Sequence, residues 1–196
     1  WDVVNEAILD TLPSGTCYGC KVYKEAAEQG SDGWFANRWM DINSAGGDYV
    51  KEAFIMASQY APSGAKLFYN DYSIISSSNW MSDKADAVYY MIQGMRNEGV
   101  QIDGIGFQCH LTGSDSTLNY AGIKANLDRF AALGLEIHIT EIDVENPSND
   151  QDRLAEVYKM VLDACMDTSA CKAFVSWGFT DRYTWKGSSN NPLPFE

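Results

Sequence analysis

The sequence predicts an α/β protein built on a parallel sheet. Short apolar runs alternate with longer segments of helical periodicity across the 196 residues, and no low-complexity linker divides them. Five predicted strands alternate with four predicted helices, so each helix returns the chain to the same end of the sheet. The strands are almost continuously apolar, as expected when both faces are covered. Periodicity leaves an open doubly wound sheet and a closed barrel as alternatives.

The predicted strands span residues 1–5, 66–72, 104–110, 136–143 and 172–178. The predicted helices span residues 48–60, 83–98, 120–133 and 151–166. Gly99 and Gly134 follow two of these helices, where a glycine relieves a left-handed backbone. Pro62 cannot extend the first helix.

Charge and composition exclude some classes of partner. A net charge of −13 and a pI near 4.4 argue against nucleic acid, because its phosphates would be repelled from most of the surface. A neutral polymer would tolerate this charge. Aromatic residues make up 13% of the chain, and flat apolar rings suit the C–H faces of sugars. No run of about 20 apolar residues occurs, so we expect no membrane-spanning helix.

The chain has an odd number of cysteines, so at least one is unpaired if the others form disulfides. Cys165 and Cys171 close a short loop between a predicted helix and the last strand, within disulfide reach. Cys17 and Cys20 leave three interpretations: a loop-closing disulfide, a redox pair or half of a zinc site. No second pair has metal spacing, and a strand-to-helix junction is missing, so we favour the loop disulfide and predict no metal.

Polar and aromatic residues interrupt the apolar strands at their C-terminal ends. They are Asn5, Glu6, residues 70–72, Gln108, His110, Glu141, Asp143 and Trp177. Ligands bind outside these ends in parallel α/β folds, so five strands deliver candidate groups to one place.

Strand alternation predicts different roles for the two histidines, His110 and His138. Gln108 and His110 share one face of their strand, which we expect to be the site face. The same alternation puts Glu141 on the face of Ile139 and points His138 the opposite way. We therefore interpret His138 as structural and His110 as functional.

Glu6 and Glu141 together suit glycoside hydrolysis, in which one carboxyl protonates the departing oxygen and the other attacks the anomeric carbon. A single glutamate at a strand end is more often a solvated surface charge. The hypothesis therefore depends on the pair.

Five motifs resemble glycoside hydrolase family 10, in the family's order and over essentially the entire chain. The two that resemble its catalytic signatures are Trp1-Asp2-Val3-Val4-Asn5-Glu6-Ala7 and Ile139-Thr140-Glu141-Ile142-Asp143. The other three are Phe68-Tyr69-Asn70-Asp71-Tyr72, Gly104-Ile105-Gly106-Phe107-Gln108-Cys109-His110, and Trp177-Gly178-Phe179-Thr180-Asp181 with Trp185.

The resemblance implies a (β/α)8 barrel and a retaining endo-1,4-β-xylanase that needs no cofactor and acts on xylan and xylo-oligosaccharides. It makes Glu6 the general acid/base and Glu141 the nucleophile. It also implies supporting residues. Asn5 would hydrogen-bond the 2-hydroxyl of the reacting sugar. His110, with Gln108 beside it, would orient the nucleophile, and Asp143 would support His110. Trp177 and Trp185 would form apolar walls around the reacting xylose, and Tyr72 would stack on the leaving-group side. The alternative for each aromatic residue is ordinary barrel packing.

Five strands fall short of the eight units of such a barrel, which typically has about 250 residues. We therefore expect residues 1–196 to be a single, N-terminally truncated catalytic domain covering strands four to eight, with its first and last strands as open edges. Alone it should be marginal or aggregation-prone, and the complete protein should be a monomer. The Cys165 and Cys171 pair resembles a disulfide of fungal members, which implies a secreted, extracellular enzyme. A β-1,4-glucanase, a carbohydrate-binding module and a metal-binding protein are the alternatives.

Overall fold

The computed structural model of the protein describes residues 2–10, 12 and 48–195. Trp1, Cys17 and Cys20 lie outside the described residues. The alternatives for the two cysteines therefore stay predictions.

The described chain has six strands and four helices, and a helix separates successive strands except the third and the fourth. The strands are β1 (Asp2–Asn5), β2 (Phe68–Asp71), β3 (Gly104–Phe107), β4 (His110–Thr112), β5 (Glu136–Glu145) and β6 (Cys171–Ser176). The helices are α1 (Tyr49–Tyr60), α2 (Ser82–Asn97), α3 (Tyr120–Ala132) and α4 (Gln151–Met166). Two short 3-10 helices, Asp181–Tyr183 and Ser188–Asn190, follow β6. Each predicted helix is confirmed to within one residue at either end.

All strand pairs among the described residues are parallel, which confirms the predicted sheet. The order is β1, β2, β3, β5, with β4 and β6 also paired to β5. The single strand predicted over residues 104–110 is wrong, because Cys109 adopts a left-handed backbone with φ 62° and separates β3 from β4. β4 then pairs with the C-terminal half of β5 through His110 and Asp143.

The core lies between the sheet and the helices. Ile105, Phe107, Ile137 and Ile139 are fully buried there, and so is Phe130 of α3, whose ring meets Phe107 edge-on. Truncating such a phenylalanine to alanine typically costs about 3–5 kcal/mol. This packing fixes the strand ends that carry the polar residues.

Glycines shape the opposite face of β3. A Cβ atom at Gly104 would collide with the Phe68 ring, and one at Gly106 would collide with Asn70 and Thr140. The missing side chains therefore let residues of β2 and β5 meet across β3.

The predicted alternation along β5 is wrong beyond Ile139. Thr140 and its neighbour Glu141 both reach Asn70, although alternation would point them apart. The register with β6 shifts between Ile139 and Ile142, and this irregularity turns Glu141 away from the buried face that Ile139 occupies. His138 stacks on Phe68 and contacts Glu136 at 2.9 Å, which agrees with a structural histidine.

β1 and β6 lie at opposite ends of the strand order. In the described part of the chain β1 pairs with β2 and β6 with β5, and no ladder joins β1 to β6. The described sheet is thus open, as expected. None of the helices within these ranges is both long enough and apolar enough to cross a membrane.

Candidate active site

Glu6 lies immediately after β1 on a left-handed backbone with φ 58°. This conformation is uncommon for a residue other than glycine and costs of order 1–3 kcal/mol. Two hydrogen bonds hold the turn: Glu6 N–H donates to the Asn70 carbonyl at 2.9 Å, and Ala7 N–H donates to the Tyr69 hydroxyl at 3.1 Å. The neighbouring strand β2 therefore fixes the direction in which Glu6 leaves the sheet.

Three amides connect Glu6 with Glu141. Gln108 Nε2 donates to Glu6 Oε1 at 2.9 Å and to Asn5 Oδ1 at 3.0 Å. Asn70 Nδ2 donates to the same Asn5 oxygen at 2.8 Å and to Glu141 Oε1 at 2.8 Å. Because Asn5 Oδ1 accepts both bonds, the orientation of its amide is set, and its Nδ2 makes no hydrogen bond to another described residue.

His110 holds the other side of Glu141. Its Nε2 lies 3.4 Å from Glu141 Oε2, and its Nδ1 lies 3.0 Å from Asp143 Oδ1. Burial by itself would lower the pKa of His110, but the hydrogen bonds and charges of Asp143 and Glu141 outweigh it and raise the pKa to about 9. At neutral pH His110 is therefore a cation that is hydrogen-bonded to Asp143 and forms an ion pair with Glu141.

Trp185 completes this side of the site. Its Nε1 donates to Asp143 Oδ2 at 2.7 Å, and its ring meets His110 edge-on with centroids 5.0 Å apart. Beside His110 a cavity of about 200 Å³ opens, with Trp80 and Lys186 among its walls.

The other two predicted aromatic residues differ in their contacts. The Tyr72 hydroxyl donates to Asp10 Oδ2 at 2.6 Å, and its ring lies under the Lys84 ammonium. Trp177 follows β6 and is 48% exposed, and among the described residues no hydrogen bond or ring contact joins its side chain to the two glutamates. The structure thus brings Trp185 to the carboxylates and leaves Trp177 open.

Gln108 differs from its expected place. The sequence put it beside His110 at Glu141, whereas its amide bonds Glu6 and Asn5. The left-handed backbone at Cys109 separates the two side chains, so Gln108 serves one carboxylate and His110 the other. Gln108 is fully buried, and its Oε1 has no partner within the described ranges.

Asn70 is the residue that sequence reasoning undervalued. It is 1% exposed, bonds both Asn5 and Glu141, and accepts at Oδ1 from the Thr140 hydroxyl at 2.8 Å. Its place at the C-terminal end of an apolar strand was a usable signal. Because Phe68 and Asn70 are two positions apart on one strand, alternation predicts that their side chains lie on the same face.

The expected disulfide is confirmed. Cys165 and Cys171 are bonded, with Cα atoms 5.3 Å apart, and join the end of α4 to the start of β6. Cys109 is a free, buried cysteine, and burial raises the pKa of its thiol.

The model of glycosyl hydrolase family 10 matches residues 1–196. The chain belongs to glycosyl hydrolase family 10. It is 40% identical over 190 residues to endo-1,4-β-xylanase B of Thermotoga neapolitana. The alignment covers 94% of this chain and 46% of that protein. Identity to endo-1,4-β-xylanase B of Neocallimastix patriciarum is 33%, over 100% of this chain and 20% of that protein.

Solved family 10 structures share the fold. Xylanase 10B from Thermotoga petrophila, in complex with xylobiose, matches with a TM-score of 0.74 and 37% identity, over 99% of this chain and 56% of that one. The intracellular xylanase TsXylA from Thermoanaerobacterium saccharolyticum matches with a TM-score of 0.73 and 32% identity, over 98% and 52%. The chain spans about half the length of these structures, which are (β/α)8 barrels, and so shows part of that barrel.

Proposed function

We propose that the protein is a retaining endo-1,4-β-xylanase, with Glu141 as nucleophile and Glu6 as general acid/base. The observation that carries this proposal is the unlike surroundings of two carboxylates in one hydrogen-bonded network. Glu141 forms an ion pair with the His110 cation at 3.4 Å, which suits an anionic nucleophile. Glu6 receives its bond from the neutral Gln108 amide, which suits a carboxyl that gives up a proton.

In the first step Glu141 attacks the anomeric carbon while Glu6 protonates the glycosidic oxygen. The sugar leaving group departs and a glycosyl ester forms on Glu141. Water, deprotonated by Glu6, then attacks the same carbon and releases Glu141. Asn5 presents its Nδ2 to the 2-hydroxyl of the reacting sugar, because Asn70 and Gln108 occupy its oxygen. The carboxyl chemistry requires no cofactor.

Xylan and xylo-oligosaccharides are the proposed substrates. Related structures contain xylobiose and xylohexaose, and the curated relatives at 40% and 33% identity are named endo-1,4-β-xylanases. Trp185 and Tyr72 offer rings against which pyranose faces can pack. A second candidate, action on β-1,4-glucan, is favoured by one relative at 34% identity that is named exoglucanase XynX of Acetivibrio thermocellus.

The test compares hydrolysis of xylan with hydrolysis of carboxymethyl-cellulose by the purified full-length gene product that contains this chain. We expect xylan to be preferred and Glu141→Ala to remove turnover of both polymers. Glu98→Ala, on an exposed glutamate that pairs with Lys51, is the control and should keep wild-type activity. A preference for carboxymethyl-cellulose would replace the first candidate with the second, and an active Glu141→Ala variant would overturn the nucleophile assignment.

The extent of the chain adds a structural proposal. We propose that residues 1–196 supply strands four to eight of a (β/α)8 catalytic domain that works as a monomer. The support is the share of each relative that the chain covers and the unpaired outer sides of β1 and β6 among the described residues. Xylanase activity should therefore require the longest native gene product that contains this chain.

Secretion is also a proposal, and it depends on the Cys165–Cys171 disulfide. Disulfides persist in oxidising compartments and are rare in reducing ones. TsXylA is described as intracellular, so membership of the family does not decide the compartment. Mass spectrometry of thiol-alkylated protein from its native source should show the bond intact, and alkylation of both cysteines would contradict secretion.

A further inference from the structure

Lys84 is a buried cation near the proposed leaving-group side of the site. It lies on α2, and its side chain is 3% exposed. Its ammonium contacts Asp71 Oδ1 at 2.9 Å and Asp10 Oδ1 at 3.0 Å. Asp71 is fully buried, whereas Asp10 is 56% exposed. Burying this cation is costly unless it is paired, so the ion pairs hold Lys84 in one place.

The same cation fixes the ring of Tyr72. Lys84 Nζ lies 3.7 Å from the ring centroid, which is within cation–π distance. The Tyr72 hydroxyl donates to Asp10 Oδ2 at 2.6 Å, and Lys84 binds the other oxygen of that carboxylate. Tyr72 is therefore held at its face by the cation and at its tip by a carboxylate that the cation also holds.

A second branch of the network reaches the turn that carries Glu6. The Tyr69 hydroxyl donates to Asp71 Oδ2 at 2.6 Å and accepts from Ala7 N–H at 3.1 Å. Ala7 directly follows Glu6. Lys84 thus connects through Asp71 to one end of the Glu6 turn and through Asp10 to the Tyr72 ring.

We propose that Lys84 is a positioning residue that fixes the Tyr72 ring relative to Glu6, so that a leaving-group sugar stacked on the ring presents its glycosidic oxygen to the acid. This inference rests on the proposed function. Packing alone would be served by an apolar side chain, whereas Lys84 binds groups on two separate segments: Asp10 after β1, and the adjacent residues Asp71 and Tyr72 at the end of β2. A misplacement of about 1 Å can reduce a rate about 100-fold.

The test compares substrates with and without a sugar leaving group. Lys84→Met in the longest native gene product should reduce kcat/KM about 10-fold to 100-fold on xylotetraose. The loss should be less than about 3-fold on an aryl β-xylobioside, whose aryl group needs no stacked sugar and little protonation. Lys124→Met is the matched control, because Lys124 forms a surface pair with Asp128 on α3, and it should leave both substrates unchanged.

Two further variants separate positioning from folding. In a Tyr72→Ala background, Lys84→Met should add little to the loss on xylotetraose, because both changes remove the same interaction. Asp10→Asn weakens the contacts of the half-exposed Asp10 with Lys84 and Tyr72. It should show the same selective loss of kcat/KM on xylotetraose, but a smaller one. This variant carries the test if Lys84→Met does not fold.

Equal losses on the two substrates, or additive losses with Tyr72→Ala, would overturn the positioning role. Failure of the proposed function looks different, because the wild-type protein would then hydrolyse neither substrate. In that case the crystal structure of Lys84→Met decides the inference. A displaced Tyr72 ring supports it, and an unchanged ring refutes it.

Discussion

His110 Nδ1 lies 3.0 Å from the fully buried carboxylate of Asp143. The opposite ring nitrogen lies 3.4 Å from Glu141, so one imidazole joins two acidic side chains. The hydrogen bonds and charges of these carboxylates overcome the effect of burial and raise the pKa of His110 to about 9.

The first prediction concerns stability and pH. A histidine whose pKa rises from 6.5 to about 9 on folding contributes stability that is fully present below pH about 6.5 and is lost as pH rises through about 9. The contribution is about 3 kcal/mol. Urea unfolding at pH about 6 and about 10 should show that the free energy of unfolding of His110→Gln lacks this decrease with rising pH. His138→Gln, which retains His110, should show it, and an equal fall in His110→Gln would mean that another group causes the loss of stability.

The second prediction concerns Asn70. Asn70→Asp places a carboxylate oxygen where an amide now donates to Glu141 Oε1 at 2.8 Å. Because two adjacent carboxylates resist ionising together, kcat should fall about 100-fold and the acid limb of the kcat/KM profile should move to higher pH. Asn126→Asp is the buried control, since Asn126 bonds the Ile74 carbonyl away from the site. That variant should be less stable but keep the acid limb, and a shared shift would refute the specific role of Asn70.

The third prediction concerns Glu6. Glu6→Ala should lose most activity on xylan, which needs a protonated leaving group, and retain more on aryl xylosides with good leaving groups. Added azide should restore turnover by attacking the glycosyl ester. The first product that NMR detects with the wild-type protein should keep the β configuration. If Glu141→Ala gave this pattern and Glu6→Ala did not, the two roles would be exchanged.

The helices could be predicted from sequence because their boundaries depend on local interactions. Asp48, Asn119 and Asp150 each accept a hydrogen bond from a backbone N–H in the first turn of the helix that follows, and their positions are readable in the sequence. The gathering of Glu6, His110 and Glu141 was also predictable, since parallel strands bring their C-terminal ends together.

The detailed geometry of the site was not predictable by the same means. The left-handed backbones at Glu6 and Cys109 and the irregularity at Glu141 are stabilised by neighbouring strands, not by local sequence. Simple alternation therefore misplaced Glu141 and joined Gln108 to the wrong carboxylate. Contacts between strands decide such positions, and a single sequence shows them only indirectly.

The fourth prediction concerns the disulfide. Cys165 and Cys171 are six positions apart, and a loop of this size is expected to stabilise the fold by about 2 kcal/mol through restriction of the unfolded chain. Reductant should therefore lower the free energy of unfolding of the wild-type protein. A variant with Cys165 and Cys171 changed to serine should have a lower free energy of unfolding before reductant is added, and reductant should not lower it further. Cys17 and Cys20 remain in that variant, so any residual response would identify a disulfide between them as its source.

The fifth prediction concerns the open edges of the sheet. Val175 and Trp177 are each 48% exposed at and just after β6, and the outer side of β1 pairs with no strand in the described ranges. Because open edges and exposed apolar groups promote association, the 196-residue chain should self-associate in sedimentation experiments. A monodisperse monomer with a cooperative unfolding transition would contradict this expectation.

The backbone turn at Glu6 limits how the site could be transplanted to another scaffold. A recipient would have to accept a left-handed residue and provide an acceptor like the Asn70 carbonyl and a hydroxyl like that of Tyr69. Grafting two glutamates onto regular strands would leave the first one aimed elsewhere. The smallest unit that could be transferred is therefore the Glu6 turn together with β2. A design would have to reproduce the backbone of both before the side chains are placed.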